Sequence, residues 1–150
     1  MLALSLNTYI HLIFIVVIFC CLVAELMLVR EYVSYQVVKR LSKIDALYGL
    51  AAVVVVATGL LNWMKFGKGF DYYANNSLFM IKFSLFVIVG LLSLYPTILF
   101  ARTKKKYKSE APEEILLPAT KAVRRVIVLE LIIMGSIPLL AELMANGIDI

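Results

Sequence analysis

Four long apolar runs, at about residues 6–29, 44–64, 78–101 and 122–145, leave this chain very few ways to fold. Each meets the requirement of about 20 mostly apolar residues for a helix that crosses a bilayer. The runs are continuous rather than alternating and far too long for single strands, so a β reading fails. Lipid offers no partner to backbone N–H and C=O groups, and each run must therefore bond internally as a helix. The expected fold is all-α: a polytopic membrane protein with a four-transmembrane-helix bundle, one domain over residues 1–150. Composition agrees, with 63% hydrophobic residues against about 45–50% in soluble domains.

The net charge of +5 comes from 15 Lys and Arg against 10 Asp and Glu. The basic residues cluster between the apolar runs, which is an orientation signal rather than a nucleic-acid footprint. No nucleic-acid partner is expected. Arg30, Lys39, Arg40 and Lys43 fall in the first connection. Arg102, Lys104, Lys105, Lys106, Lys108, Lys121, Arg124 and Arg125 fall in or beside the third, and only Lys65 and Lys68 in the second. The positive-inside rule then puts both termini and the 65–77 connection outside. The stretch "TKKKYKSEAPEEILLPAT" (103–120) contains Pro112 and Pro118 and reads as a solvated inner-face loop. Docking on anionic lipid or on a partner is its alternative reading.

Cys20 and Cys21 are adjacent inside the first run and read as small buried hydrophobes. No basic residue precedes that run and no small-residue cleavage site follows it, so it reads as a retained helix. In the second run Asp45, Gly49, Ala52, Val56 and Gly59 make a mostly small stripe, suited to close helix approach. Pro96 and Pro138 are expected to kink helices 3 and 4. Trp63, Tyr72 and Tyr73 suit an outer aromatic belt.

Polar residues inside the spans carry the functional signal. His11, the only histidine, lies about one turn in from the outer end of helix 1. Lys82 holds the same depth in helix 3, and Asn62 and Glu142 comparable depths in helices 2 and 4, counting 1.5 Å per residue. Burying an ionisable group in a span costs at least about 2.5–3.5 kcal/mol, so such groups face the bundle interior and find partners. In a structural reading Lys82 pairs with Glu142 or snorkels outward, and His11 bonds a carbonyl or Asn62. In a ligand reading the imidazole is an iron ligand, and a Lys82 amine that has lost its proton is a second one, on b-type haem.

Glu25, Asp45 and Glu130 form a second group toward the inner face, near Arg30, Arg102, Arg124 and Arg125. Glu25 follows His11 by 14 residues, about 40° off the same helix face. Ion pairing with the arginines is the structural reading. A proton or ion path across the bundle is the functional one.

The chain as a whole resembles an uncharacterised family of predicted four-helix bacterial membrane proteins. The resemblance is carried by "YIHLIFIVVIFCCLVAELMLVRE", "LSKIDALYGLAAVVVVATGLL", "NSLFMIKFSLFVIVGLLSLYPT" and "LELIIMGSIPLLAELMANGI". More distantly, the first three helices are similar to the bacterial membrane protoporphyrinogen IX oxidase and to copper-resistance membrane proteins. The oxidase resemblance implies haem b held by a histidine early in the first helix and a lysine opening the third. His11 in "YIHL" and Lys82 in "FMIKFSLF" stand at those places. After the histidine this chain continues with the apolar "LIFIVVIFCC", where the oxidase family has aromatic and basic residues.

The expectation is therefore a small integral membrane protein that binds b-type haem and is associated with redox or electron transfer. If it is an enzyme, it is a membrane oxidoreductase of protoporphyrinogen-oxidase type. His11 and Lys82 bind the cofactor, Asn62 and Glu142 support them, and Glu25, Asp45 and Glu130 are proton-path or ion-path candidates. The alternative is a non-enzymatic membrane subunit or small transporter-like protein. Its intramembrane polar residues would be structural or would line an ion path. Expected partners are the lipid bilayer, a homodimer or larger membrane complex, and a quinone or porphyrin. The resemblance places the protein in the bacterial inner (cytoplasmic) membrane.

Overall fold

The computed structural model describes residues 2–62, 64 and 77–146. The aromatic-belt candidates Trp63, Tyr72 and Tyr73, and Lys65 and Lys68 of the second connection, lie outside the described residues. In chain order the elements are α1 (Leu2–Leu28), β1 (Tyr32–Val33), α2 (Tyr35–Leu61), α3 (Ser77–Lys106), β2 (Ile115–Leu116) and α4 (Thr120–Ala145). These four helices are long and apolar enough to cross a membrane. A 27-residue helix such as α1 is about 40 Å long at 1.5 Å per residue, against a hydrocarbon core of about 30 Å. Val16, Val53, Leu91 and Ile132 are more than half exposed on the outer surface of the bundle, apolar faces that only lipid suits.

Helix ends depart from the hydropathy estimate for local reasons. α2 begins nine residues before position 44, because Ser34 caps it with a side-chain oxygen that accepts from the Val37 N–H at 3.4 Å. This first stretch is amphipathic: Val38 and Leu41 are buried while Lys39, Arg40 and Lys43 are exposed. A span-length hydropathy window averages such a stretch away. α3 runs on to Lys106 and ends on Lys104, Lys105 and Lys106, whose charges suit the negative end of the helix dipole. Pro96 and Pro138 both sit inside continuous helix.

The antiparallel pairs α1/α2 and α3/α4 pack most closely, and the two hairpins meet along α2/α3 and α1/α4. α1 and α3 are therefore diagonal partners. On α2 the buried face is Leu41, Asp45, Tyr48, Ala51, Val55 and Thr58. This corrects the small-residue stripe expected there, since Gly49 is exposed and a side chain at that position would meet nothing. The packed face lies one residue earlier at several positions, because Tyr48 and Val55 fill the bundle with bulk rather than letting backbones touch.

One end of the bundle is clasped. β1 pairs antiparallel with β2, Tyr32 opposite Leu116 and Val33 opposite Ile115. The Leu117 N–H donates to the Glu31 carbonyl at 2.9 Å and the Tyr35 N–H to the Pro112 carbonyl at 3.1 Å. Arg124 Nη1 donates to the Leu26 and Val29 carbonyls, each at 2.9 Å, and so closes the last turn of α1. Val29, Val33, Ile115, Leu117 and Val123 are buried beneath. The 103–120 segment is thus helix as far as Lys106 and then a largely exposed loop, in which Ile115–Leu116 docks as a strand.

Candidate functional site

At the end opposite the clasp the four helices line an open-sided cavity of about 900 Å³. Its polar lining residues include His11 from α1, Asn62 just after α2, Lys82 from α3 and Glu142 from α4. The rest is largely apolar, with Leu12, Ile15, Val55, Phe79, Phe83, Phe86, Met134 and Ile137 on the walls. Ligand pockets occupy about 300–1,000 Å³ and combine an apolar lining with a few convergent polar groups.

His11 is held in one orientation. Its Nδ1 lies 2.8 Å from Thr58 Oγ1. That hydroxyl has a single proton, and the Val54 carbonyl one turn earlier lies 2.7 Å away to receive it. The Thr58 oxygen then accepts from Nδ1–H, which leaves the lone pair of the imidazole on Nε2. Among the described residues Nε2 has no hydrogen-bond partner. Gly59 packs beside the ring, where a Cβ would stand 3.4 Å from His11 Cε1, an ordinary contact, and anything larger would press on the imidazole. Asn7, one turn before His11 and buried, donates to the Thr58 carbonyl at 2.9 Å and to Asn62 Oδ1 at 2.8 Å. Asn62 is thereby committed to α1, and His11 engages Thr58 together with the Val55 carbonyl, as the carbonyl alternative expected, rather than Asn62.

Lys82 is half-buried, and its Nζ sits 5.4 Å from the centroid of the Phe79 ring, a cation–π distance. The Lys82–Glu142 ion pair expected from depth alone is not formed among the described residues. Glu142 instead accepts from Asn146 Nδ2 at 3.1 Å. It is exposed at the cavity rim.

The second polar group lies nearer the clasp. Glu25 of α1, Asp45 of α2 and Glu130 of α4 are buried, at 2%, 9% and 0% exposure. They are near enough to feel one another's charge. Asp45 Oδ1 is bonded by the Thr97 hydroxyl of α3 at 2.7 Å. Among the described residues both Glu130 oxygens and Glu25 Oε1 have no hydrogen-bond partner. Among the described residues Glu130 is paired with no arginine, and Arg124 bonds the carbonyls of α1 instead. Buried Ile18, Leu22, Ala51, Val89 and Met134 lie between this group and the cavity.

Thr58 and Asn7 are the site residues that sequence reasoning missed. Asn7 carried a readable signal, a polar residue four before His11 in an apolar run. Thr58 carried little, since a lone threonine in a membrane helix ordinarily bonds its own backbone.

No curated protein and no solved structure matches the chain, so the likeness to the porphyrinogen oxidase and copper-resistance proteins rests on the quoted stretches alone. The family described as "Predicted membrane protein (DUF2214)" matches residues 4–149, nearly the whole chain. The protein belongs to this family of predicted membrane proteins.

Proposed function

We propose that the protein binds b-type haem in the cavity between its four helices, as a small redox-associated membrane protein. The observation that carries this reading is His11. Its Nδ1 is tied to Thr58, and its Nε2 is left free on the wall of a haem-sized apolar cavity. Metal-ligating histidines characteristically bond through their other ring nitrogen in this way, which fixes tautomer and ring plane. Lys82 comes from the diagonally opposite helix and lines the same cavity. Its amine, once its proton is lost, would be a second ligand to the iron. The donor set, the volume and the apolar walls fit the group.

When bound, haem supplies one-electron chemistry. The chain's own part is to orient His11 through Thr58, to pack Gly59 beside it, and to keep water off the ring with Phe83, Phe86 and Ile137. Asn62 and Glu142 shape the polar rim. In this reading the clasped, basic end faces the cytoplasm of a bacterial cell and both termini face out. A quinone or a porphyrin meets the cavity from the membrane. A homodimer or larger membrane complex would provide the electron partner, and porphyrinogen oxidation would be the enzymatic form of the same reading.

Hemin titration into the purified protein tests it. The expected result is a saturable Soret shift in the wild type that is lost in His11→Ala and altered in Lys82→Ala. Equal binding by His11→Ala would overturn it. A second reading, a non-enzymatic membrane subunit or transporter-like protein, is favoured by the partnerless buried carboxyls and would lead if no haem binds.

A further inference from the structure

We infer that the chamber formed by Glu25, Asp45 and Glu130 is a proton-binding site, an inference independent of the haem reading. Three carboxyl groups from three helices converge there. Among the described residues Glu130 is completely buried with neither oxygen bonded, and Glu25 is 2% exposed with Oε1 unbonded. An ionised carboxylate so placed, with other acids near enough to repel its charge, is among the most costly groups a protein interior can hold. Something must offset that charge.

The candidates reduce to one. The nearby cation Arg124 is committed to the Leu26 and Val29 carbonyls. No three His, Cys, Asp or Glu side chains among the described residues are placed to share a metal ion. A proton needs no cage, only an oxygen to sit on. Thr97 supplies an independent sign. Its hydroxyl, with one proton, lies 2.7 Å from Asp45 Oδ1 and 2.8 Å from the Ser93 carbonyl, and both are acceptors if Asp45 is ionised. A proton on Asp45 resolves the conflict: the acid donates to Thr97 Oγ1, and Thr97 donates to Ser93.

The groups that face the chamber are few. α1 brings Glu25 and, one turn away, Cys21. α2 brings Asp45 and Tyr48, and α4 brings Glu130. α3 contributes the uncharged hydroxyl of Thr97. Asp45 is the most exposed of the three acids, at 9%, and is the one a proton would reach first. Loading is a plain proton transfer: hydronium gives its proton to a carboxylate and leaves as water, and nothing is oxidised.

Infrared spectroscopy of the full-length protein tests this, in a maltoside detergent that has no carbonyl of its own. At neutral pH, well above the ordinary carboxyl range of about 4, the wild type should show a free-acid carbonyl stretch that moves in D2O. Raising the pH should convert it to carboxylate absorption. Glu130→Gln and Glu25→Gln should each remove part of the band, and Asp45→Asn the component bonded to Thr97. Absence of an acid band in the wild type at neutral pH would overturn the inference. So would a band that Glu130→Gln and Glu25→Gln both leave intact, with helical content by circular dichroism unchanged.

Discussion

Thr58 illustrates how much of the site depends on one hydroxyl. It donates to its own helix and accepts from His11, so it fixes both the ring plane and the tautomer. Thr58→Val keeps the shape and removes the acceptor. It should cost about 1 kcal/mol of stability, read by thermal melting, and about tenfold or more in hemin affinity. Thr58→Ser should retain both. At Gly59 an added methyl meets the imidazole at ordinary contact distance. Gly59→Ala should therefore bind hemin nearly as the wild type does, whereas Gly59→Val should displace the ring and weaken binding in the same titration. Glu130 works in the opposite sense. Replacing a buried group that has no partner by an apolar one of similar length, Glu130→Met, should stabilise the protein by about 1–3 kcal/mol, seen as a higher melting temperature. The depths of His11, Asn62, Lys82 and Glu142 were legible because residues in a membrane helix can be counted from its end. Their partners were not, because depth says nothing about which face of a helix a neighbour presents.

At the scale of elements, the four spans follow directly from bilayer thickness, and their existence could be read without ambiguity. The ends could not. The amphipathic start of α2 looks polar to a hydropathy window, and its Ser34 cap is visible only once the start is suspected. The β1/β2 clasp is two residues long, below any periodicity signal, and pairs segments more than 80 positions apart. Its strength lies in the surrounding bonds, above all those of Arg124 to α1. Arg124→Gln gives up a charged donor at two carbonyls. Because Arg124 is exposed, the cost should be modest, about 1 kcal/mol. The expected readout is local: faster amide hydrogen exchange at Leu117 and Tyr35, and faster proteolysis around residues 107–114. Unchanged exchange at both amides would show that the apolar contacts of Val33 and Ile115 hold the clasp by themselves.

The whole molecule is asymmetric along its axis. The clasped end is basic, hydrogen-bonded and tightly packed, and the other end opens into the cavity. Between them the bundle passes from a carboxyl chamber through a buried apolar layer to His11 and Lys82, each set drawn from several helices. Diagonal placement puts α1 and α3 on opposite sides of the cavity, a relation that no count along the sequence could supply. The measurement that tests the central claim most directly is the visible spectrum of the protein purified after expression with ample haem, oxidised and dithionite-reduced, beside His11→Ala and Lys82→Ala. The account predicts a Soret band with reduced α and β bands in the wild type, lost in His11→Ala and shifted or lost in Lys82→Ala. A colourless wild-type protein, or a spectrum identical in His11→Ala, would contradict it.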